Sequence, residues 1–264
     1  MRYILVLLLS LITAVSSAAT ARSKCFVVTA ASDNFATAMC QAAETYRRDL
    51  ALEWFGYEMQ PWKDPCYITA QIVNQPPGGV TSFVFADGVP GQWRMTIRGQ
   101  ATKLLDSALP HEVMHMLMAT HIGQPIIRWA DEGAAINVEP LDEHIKTQRM
   151  LVGFLSTGRG IGFDRMFAMR DYPRDILPLY AQGYSLAKYL IQRGGKQRYI
   201  AYVTDGTKSN NWTETTKKHY RFTSLKQLQD NWNNWVIQGS PGPAPAQLAS
   251  VPIKQAVGTP PPNT

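Results

Sequence analysis

The sequence has 264 residues and a formal net charge of +6, from 26 basic and 20 acidic side chains. Its positive residues are scattered, with dense groups only at 193–198 and 217–219, and no segment has the pattern of a nucleic-acid-binding module. We therefore expect no nucleic-acid partner. The length suits one sizeable domain, or one domain with a small accessory lobe, rather than several large ones.

Residues 1–19 have the pattern of a secretory signal peptide. Arg2 supplies the positive charge, residues 4–14 form an apolar core too short to span a bilayer, and small residues at the end offer a cleavage site. A lipoprotein would place its cysteine directly after the small residues, whereas here Lys24 precedes Cys25. We expect an exported protein, periplasmic or extracellular, with no stable membrane anchor after signal cleavage.

The first part of the mature chain predicts a strand, a helix and a second strand. Residues 24–30 read as a strand, residues 34–55 as a long amphipathic helix capped by Ser32 or Asp33, and residues 66–73 as the next strand. This order is typical of two parallel strands joined by a crossover helix.

Three cysteines in an exported chain allow one disulfide and leave one thiol over. The strand–helix–strand unit would bring Cys25 and Cys66 to the same end of neighbouring strands, with Cys40 in the middle of the helix. We expect Cys25 to pair with Cys66, although the sequence alone leaves the connectivity open. For all three cysteines, a structural role is favoured over a catalytic one.

A turn at 76–79 is followed by two alternating apolar and polar runs, at 80–85 and 92–98. The second run ends about ten residues before a histidine-containing segment at 109–121. It is therefore a candidate sheet edge against which an extended peptide could pair through its backbone. The alternative is an ordinary strand within a meander.

A complete His-Glu-x-x-His motif occurs at His111, Glu112 and His115, the signature of zinc peptidases. On a helix, residues four apart lie about 40° apart around the axis, so the two imidazoles can point at one ion. Glu112 then lies on the adjacent flank, where its carboxylate can act as a general base without being a ligand. Asp106 or Ser107 is the predicted cap of this helix.

Catalytic zinc needs a third protein ligand, and two residues are candidates. His121 lies ten residues after His111, as in the metzincin pattern, but Met118 replaces the glycine that would break the helix there. Glu132 follows a turn, and a second helix returning antiparallel would bring its carboxylate to the two imidazoles. Asp131 could then hydrogen-bond the second nitrogen of a ligating histidine. The spacing favours Glu132, and Gly133 would allow close packing of the two helices.

Several segments together resemble the peptidase MA-like gluzincins. They are Leu-Pro-His-Glu-x-x-His at 109–115, Arg-Trp-x-x-Glu-Gly at 128–133, and the helical patterns at 179–190 and 225–232. The resemblance covers roughly 109–236. It implies a zincin-like fold, a Zn²⁺ cofactor, and a downstream glutamate as the third ligand.

The segment Tyr180-Ala-Gln-Gly183 is similar to the Tyr-x-Lys-Gly of gluzincin aminopeptidases, although Gln182 stands at the lysine position. The resemblance implies that Tyr180 donates a hydrogen bond to the oxyanion of the reacting carbonyl. Tyr184, one turn later, could take this role instead, or both tyrosines could be core residues. The Gly-x-Met-Glu-Asn loop of those aminopeptidases is missing, which argues against aminopeptidase activity.

The rest of the chain reads as mainly helical. Helices are predicted at 141–155, 175–193, 197–205 and 224–237, with breaks at the glycines of 158–162 and 194–195. Four aromatic residues are assigned to the core: Trp212, Phe222, Trp232 and Trp235. Proline and small residues dominate 239–264, which we expect to be a disordered tail.

The expected architecture is an α+β, zincin-like metallopeptidase domain at 20–238. An α/β lobe at 20–108 contains an N-terminal mixed sheet, and the active-site helix and a mainly helical C-terminal part follow at 109–238. The expected function is hydrolysis of peptide bonds in a peptide or protein substrate, through a zinc-bound water activated by Glu112. One alternative is a zinc-containing protein that binds peptide or cell-wall material with little turnover. Another is a metal-dependent hydrolase of a non-peptide amide or ester. The oligomeric state is not predicted.

Overall fold

The computed structural model describes residues 18–242, which form a mixed α+β structure. Its sheet has five strands in the order β1-β2-β3-β5-β4, with parallel β2–β3 and β3–β5 pairs and antiparallel pairs at both edges. The predicted N-terminal mixed sheet is therefore confirmed. The strands are β1 (Ala19–Arg22), β2 (Phe26–Ala30), β3 (Cys66–Ile72), β4 (Gly78–Ala86) and β5 (Val89–Gly99).

The crossover helix between β2 and β3 forms as predicted. Helix α1 (Asp33–Leu50) continues into a π-helical turn at Ala51–Phe55. The Ser32 side chain accepts a hydrogen bond from the Phe35 N–H, so it satisfies one of the free donors at the start of the helix. Gly56 ends the helix with φ of 83°, a conformation that glycine adopts without strain.

The expected Cys25–Cys66 disulfide is absent, and Cys25, Cys40 and Cys66 are all buried free thiols. The strand register explains this, because it places Phe26, and not Cys25, opposite Cys66. Successive side chains of an extended chain leave from opposite faces, so Cys25 and Cys66 diverge. Burial raises the pKa of the Cys66 thiol to about 12, which keeps it protonated and unreactive.

The candidate sheet edge lies on a different strand from the one predicted. Strand β5 is internal, between β3 and β4, and the edge strand is β4. A tight turn at Asp87 and Gly88, both with positive φ, returns the chain so that β5 pairs in parallel with β3. The predicted strand at 92–98 is nevertheless confirmed, and its alternation places Trp93, Met95 and Ile97 in the core.

The helix carrying the metal-binding motif has no N-cap at Asp106 or Ser107, contrary to the prediction. The chain is already helical from α2 (Ala101–Lys103) and runs through a π-helical segment (Leu104–Ala108) into α3 (Leu109–Ile122). The backbone N–H groups at the start of α3 bond to carbonyl oxygens of the preceding helical segment, so no capping side chain is needed there. Gly123, with φ of 74°, ends α3 at the predicted turn.

Helices make up the rest of the described chain. The four predicted helices after the metal-binding segment are confirmed, the third of them extending further than expected, while two additional short helices were not predicted. The four aromatic residues assigned to the core are buried. The helices are α4 (Arg128–Ile136), α5 (Leu141–Ser156), α6 (Phe163–Met166), α7 (Leu177–Gly194), α8 (Lys196–Ser209), α9 (Trp212–Tyr220) and α10 (Leu225–Ile237).

Helices α4 and α7 cross in backbone contact at two glycines. A Cβ on Gly133 would lie 2.6 Å from the Gly183 carbonyl oxygen, and a Cβ on Gly183 would lie 2.6 Å from the Trp129 carbonyl oxygen. Gly133 therefore serves the contact between α4 and α7, and not the predicted contact between α4 and α3. This crossing brings the start of α7 close to Glu132 on α4.

The predicted signal peptide (1–19) and tail (239–264) lie almost entirely outside the described residues. Among residues 18–242, no helix combines the length and the apolar composition needed to cross a membrane.

Candidate metal centre

His111, His115 and Glu132 come together as one cluster of potential metal ligands. The Nε2 atoms of the two histidines are 3.2 Å apart, and Glu132 Oε2 lies 3.6 Å from His111 Nε2 and 3.8 Å from His115 Nε2. Residues four apart on α3 supply the imidazoles, and α4 supplies the carboxylate after the turn at Gly123. Two imidazole nitrogens and one carboxylate oxygen are a ligand set that Zn²⁺ accepts.

Each histidine is oriented by a carboxylate at its other nitrogen. His115 Nδ1 lies 2.8 Å from Asp131 Oδ1, and His111 Nδ1 lies 2.6 Å from Glu139 Oε1. An ionised carboxylate only accepts hydrogen bonds, so each Nδ1 carries a hydrogen and donates it, and each Nε2 faces the cluster. Ser107 Oγ donates to the other oxygen of Glu139 at 3.2 Å. The predicted hydrogen bond between Asp131 and a histidine of the motif is present, whereas the contact of Glu139 was not predicted.

Glu132 has one satisfied and one unsatisfied oxygen. Its side chain is 2% exposed, Oε1 accepts a hydrogen bond from the Tyr172 hydroxyl, and Oε2 is buried with no hydrogen-bond partner among the described residues. A buried carboxylate oxygen without a partner is costly. A metal ion between Oε2 and the two Nε2 atoms would remove that cost, so these residues fit the ion that the motif implies.

The charges of the cluster reinforce one another. Burial alone would raise the pKa of Glu132, but His111, His115 and the Tyr172 hydroxyl outweigh it and lower this pKa to about 2. Burial alone would lower the pKa of His115, but Asp131 and Glu132 outweigh it and raise this pKa to about 9. Glu132 is therefore ionised throughout the physiological range, as a metal ligand must be.

His121, the alternative third ligand, lies outside the cluster. Its Nδ1 is 2.9 Å from the Tyr57 hydroxyl, and its ring packs 5.0 Å from the ring of Phe55. Because α3 remains helical through Ile122, His121 points away from His111 and His115.

Glu112 lies beside the ligands and contacts the edge strand. Its Oε2 accepts a hydrogen bond of 2.6 Å from the Thr81 hydroxyl on β4, and the side chain is 3% exposed. A Cβ on Gly79 would lie 2.5 Å from Glu112 Oε1, so glycine is required for β4 to pass this close to the carboxylate. Glu112 is not one of the clustered ligand atoms, which leaves its carboxylate available for proton transfer.

The clustered ligands, their hydrogen-bond partners and Glu112 line one cleft of about 830 Å³. Its lining residues come from β4, α3, α4, α5 and the start of α7. The volume is in the range of small-molecule and peptide sites, and the cleft combines apolar lining with the carboxylates of the cluster.

No protein-family model matches this sequence, and no curated protein is similar enough to count as a match. The likeness to gluzincins therefore rests on the motif residues and on the geometry of the cluster.

The two candidate tyrosines occupy different environments. Tyr180 lines the cleft, and the charges of Glu132 and Glu112 add to burial in raising its pKa. Tyr184 is 1% exposed and packs 5.1 Å from the ring of His144, and burial alone raises its pKa to about 12. Gln182, at the lysine position of the aminopeptidase pattern, instead bonds both backbone groups of Ile161. Of the two tyrosines, only Tyr180 is positioned to meet a substrate.

Three residues of the site escaped prediction: Thr81, Glu139 and Tyr172. Glu139 lies just after the end of α4. Ligating histidines commonly need a carboxylate partner, and this general rule was the one signal in the sequence for a residue of this kind. Tyr172 comes from the connection between α6 and α7, with the Arg128 guanidinium 4.4 Å above its ring. Nothing in the local sequence of Thr81 or Tyr172 indicates a contact with the metal-binding motif.

Proposed function

We propose that this protein is an exported zinc metallopeptidase of the gluzincin type, which hydrolyses peptide bonds in a peptide or protein substrate. The observation that carries the proposal is the convergence of His111, His115 and the unpartnered Glu132 oxygen beside Glu112, at the base of an open cleft. Three ligands leave one position of a tetrahedral zinc site for water or substrate, as catalytic sites require.

The ligands assigned to Zn²⁺ are His111 Nε2, His115 Nε2 and Glu132 Oε2. When bound, Zn²⁺ lowers the pKa of a coordinated water to about 7 and polarises the scissile carbonyl. Asp131 and Glu139 hold the two imidazoles in the tautomer and orientation that such binding needs. The Tyr172 hydroxyl holds the outer oxygen of Glu132 and so directs Oε2 toward the imidazoles.

Glu112 is the proposed general base and acid. Its carboxylate accepts a proton from the attacking water and returns it to the leaving amine. Thr81 donates to one of its oxygens, which leaves the other to face the reacting groups. The Tyr180 hydroxyl is the proposed second donor to the carbonyl oxygen as negative charge develops there.

The edge strand β4 favours a peptide over other amides and esters. Its unpaired edge carries backbone donors and acceptors along the cleft, and an extended peptide can pair with such an edge. Because the Thr81 side chain of the same strand contacts Glu112, pairing there would bring a peptide bond close to the base.

Export to the periplasm or the extracellular space is proposed from the N-terminal sequence pattern alone. The same pattern, with its short apolar core, supports a protein without a stable membrane anchor once the signal peptide is removed.

The test combines metal content with turnover. The purified protein should hydrolyse a fluorescence-quenched protein substrate, lose activity to a chelator and recover it with Zn²⁺. Glu112→Gln should keep its zinc and lose kcat by on the order of 10³-fold, because an amide cannot accept the proton. Glu143→Gln, which changes another carboxylate lining the cleft, is the matched control. Near-normal hydrolysis by Glu112→Gln would contradict the assignment of the base.

A second candidate is a zinc-containing protein that binds peptide or cell-wall material with little turnover. The observation favouring it is the shielding of Glu112, which is 3% exposed and engaged by Thr81. Zinc-dependent peptide binding without any chelator-sensitive hydrolysis would support this candidate and reject the peptidase.

A further inference from the structure

A second polar cavity, of about 330 Å³, lies where the junction of α7 and α8 meets the end of α9. It shares no lining residue with the metal-binding cleft. We call it the basic pocket, and its lining consists of Arg193, Arg198, Lys218, His219, Tyr220 and Arg221.

Two of the basic residues already have a partner. Asp205 Oδ2 lies 2.6 Å from Lys218 Nζ and 2.8 Å from His219 Nε2. Both also lie in the last turn of α9, where positive side chains offset the partial negative charge of the helix end. Ordinary surface electrostatics therefore account for this pair without a ligand.

The three arginines are exposed to solvent and differ from this pair in having no carboxylate partner in the described part of the chain. Among the described residues, no carboxylate lies within ion-pair distance of Arg193, Arg198 or Arg221. Like charges gathered around one cavity repel one another, and an anion in the cavity would turn this repulsion into attraction. Guanidinium groups match the oxygens of phosphate and sulfate in pairs, which favours an oxyanion with several oxygens.

Two of these arginines, although exposed, make contacts that restrain their side chains. The Arg193 guanidinium lies 5.3 Å from the Tyr189 ring and 5.1 Å from the Phe222 ring. The Arg198 stem passes so close to Gly194 that a Cβ there would lie 2.5 Å from Arg198 Cδ. Side chains that are already ordered lose less entropy on binding.

A buried donor is also free at this place. The Tyr220 hydroxyl is buried and has no hydrogen-bond partner among the described residues, in a side chain that is only 6% exposed. The charges of Arg198 and Arg193 oppose the effect of burial on its pKa, so the hydroxyl lies within their field. A buried donor without a partner costs free energy, and this one belongs to a residue that lines the same pocket as the arginines.

We infer that the basic pocket is a binding site for a phosphate- or sulfate-type oxyanion, held chiefly by Arg193, Arg198 and Arg221. The site is separate from the metal centre and does not depend on the proposed peptidase activity. The anion is either a small soluble ion or the same group displayed on a surface, such as a phospholipid headgroup.

The test measures binding of inorganic phosphate to the full chain at constant ionic strength, by isothermal titration calorimetry. Arg198→Gln should weaken binding about tenfold or more, because it removes a charge-assisted hydrogen-bond donor. Arg149→Gln is the matched control, since Arg149 is an exposed arginine that lines neither cavity, and it should bind as the wild type does. Melting temperatures without phosphate verify that each variant is folded.

Binding that disappears when zinc is removed and is unchanged in Arg198→Gln would assign the phosphate to the metal centre and overturn the inference. So would equal binding by wild type, Arg198→Gln and Arg149→Gln. Co-sedimentation with phosphatidylglycerol vesicles, against phosphatidylcholine vesicles, distinguishes the source. Vesicle binding that Arg198→Gln weakens indicates a displayed headgroup, and phosphate binding without vesicle binding indicates a soluble anion. Failure to bind phosphate, sulfate and anionic vesicles rejects the site.

Discussion

Two parts of the cleft lining, which we call the helical wall and the sheet wall, assemble their chemistry in different ways. The helical wall, made of α3 and α4, carries the histidines and Glu132, and the carboxylates that orient the histidines lie on α4 or directly after it. The sheet wall, made of β4, carries no clustered ligand and reaches the site through one hydroxyl, Thr81, and one glycine, Gly79.

From this difference we expect zinc binding and turnover to depend on different parts of the cleft. The helical wall contains every atom of the cluster, so changes there should first alter zinc content. The sheet wall contacts Glu112, and Tyr180 at the start of α7 lines the cleft without being one of the clustered ligands, so changes at either place should lower turnover and leave zinc in place. The following predictions run from the largest expected effect to the smallest.

Glu132→Ala should lose zinc, because two imidazoles alone hold the ion far more weakly than three ligands do. The loss of affinity should exceed the roughly 10- to 100-fold expected for an outer hydrogen-bond partner. Zinc content after dialysis and a competition titration with a chromophoric chelator measure it. His121→Ala should retain zinc, and the reverse pattern would move the third ligand to His121.

Tyr180→Phe should lower kcat by on the order of 10²-fold with little change in KM, zinc content or melting temperature, because it removes only a donor to the transition state. Tyr184→Phe is the control, since that side chain is buried against His144. If Tyr184→Phe alone loses rate, the donor has been assigned to the wrong tyrosine. If neither variant loses rate, both tyrosines are structural.

Thr81→Val should lower kcat about tenfold while zinc affinity stays unchanged, because it removes a hydrogen bond to a charged base and leaves the side-chain shape nearly the same. Thr81→Ser, which keeps the hydroxyl, should recover most of the rate. A drop in zinc content in Thr81→Val would mean that the two walls are not separable in this way.

The metal-free protein should lose stability as the pH rises from about 6.5 to about 9. Burial lowers the pKa of His115 but Asp131 and Glu132 outweigh it and raise it from 6.5 to about 9. A raised folded pKa stabilises the folded state fully below the unfolded value, and this contribution is lost as the pH passes through the folded value.

Urea denaturation midpoints across this pH range measure the effect. The zinc-loaded protein and a metal-free His115→Gln variant should both show a flatter dependence, since neither has this proton to release. A midpoint that rises with pH in the metal-free wild type would contradict the assigned sign.

Predictions from the sequence succeeded where one local pattern was sufficient. Ser32 or Asp33 was expected to cap α1, and Ser32 does. The run at 92–98 was expected to alternate apolar and polar residues along a strand, and its apolar residues are buried together in β5. They failed where a second segment decided the outcome. The start of α3 is continuous with an earlier helical run, and the position of β5 depends on its pairing with β3.

The sequence by itself determined the centre of the candidate metal site, because the spacing of His111, Glu112 and His115 on a helix fixes their relative directions. Glu132 and Asp131 followed from one turn and one returning helix. Only the tertiary structure decided which strand forms the edge, which carboxylate orients His111, and which hydroxyls reach the glutamates. Those contacts join residues distant in sequence, and their geometry depends on how the sheet and helices pack as a whole.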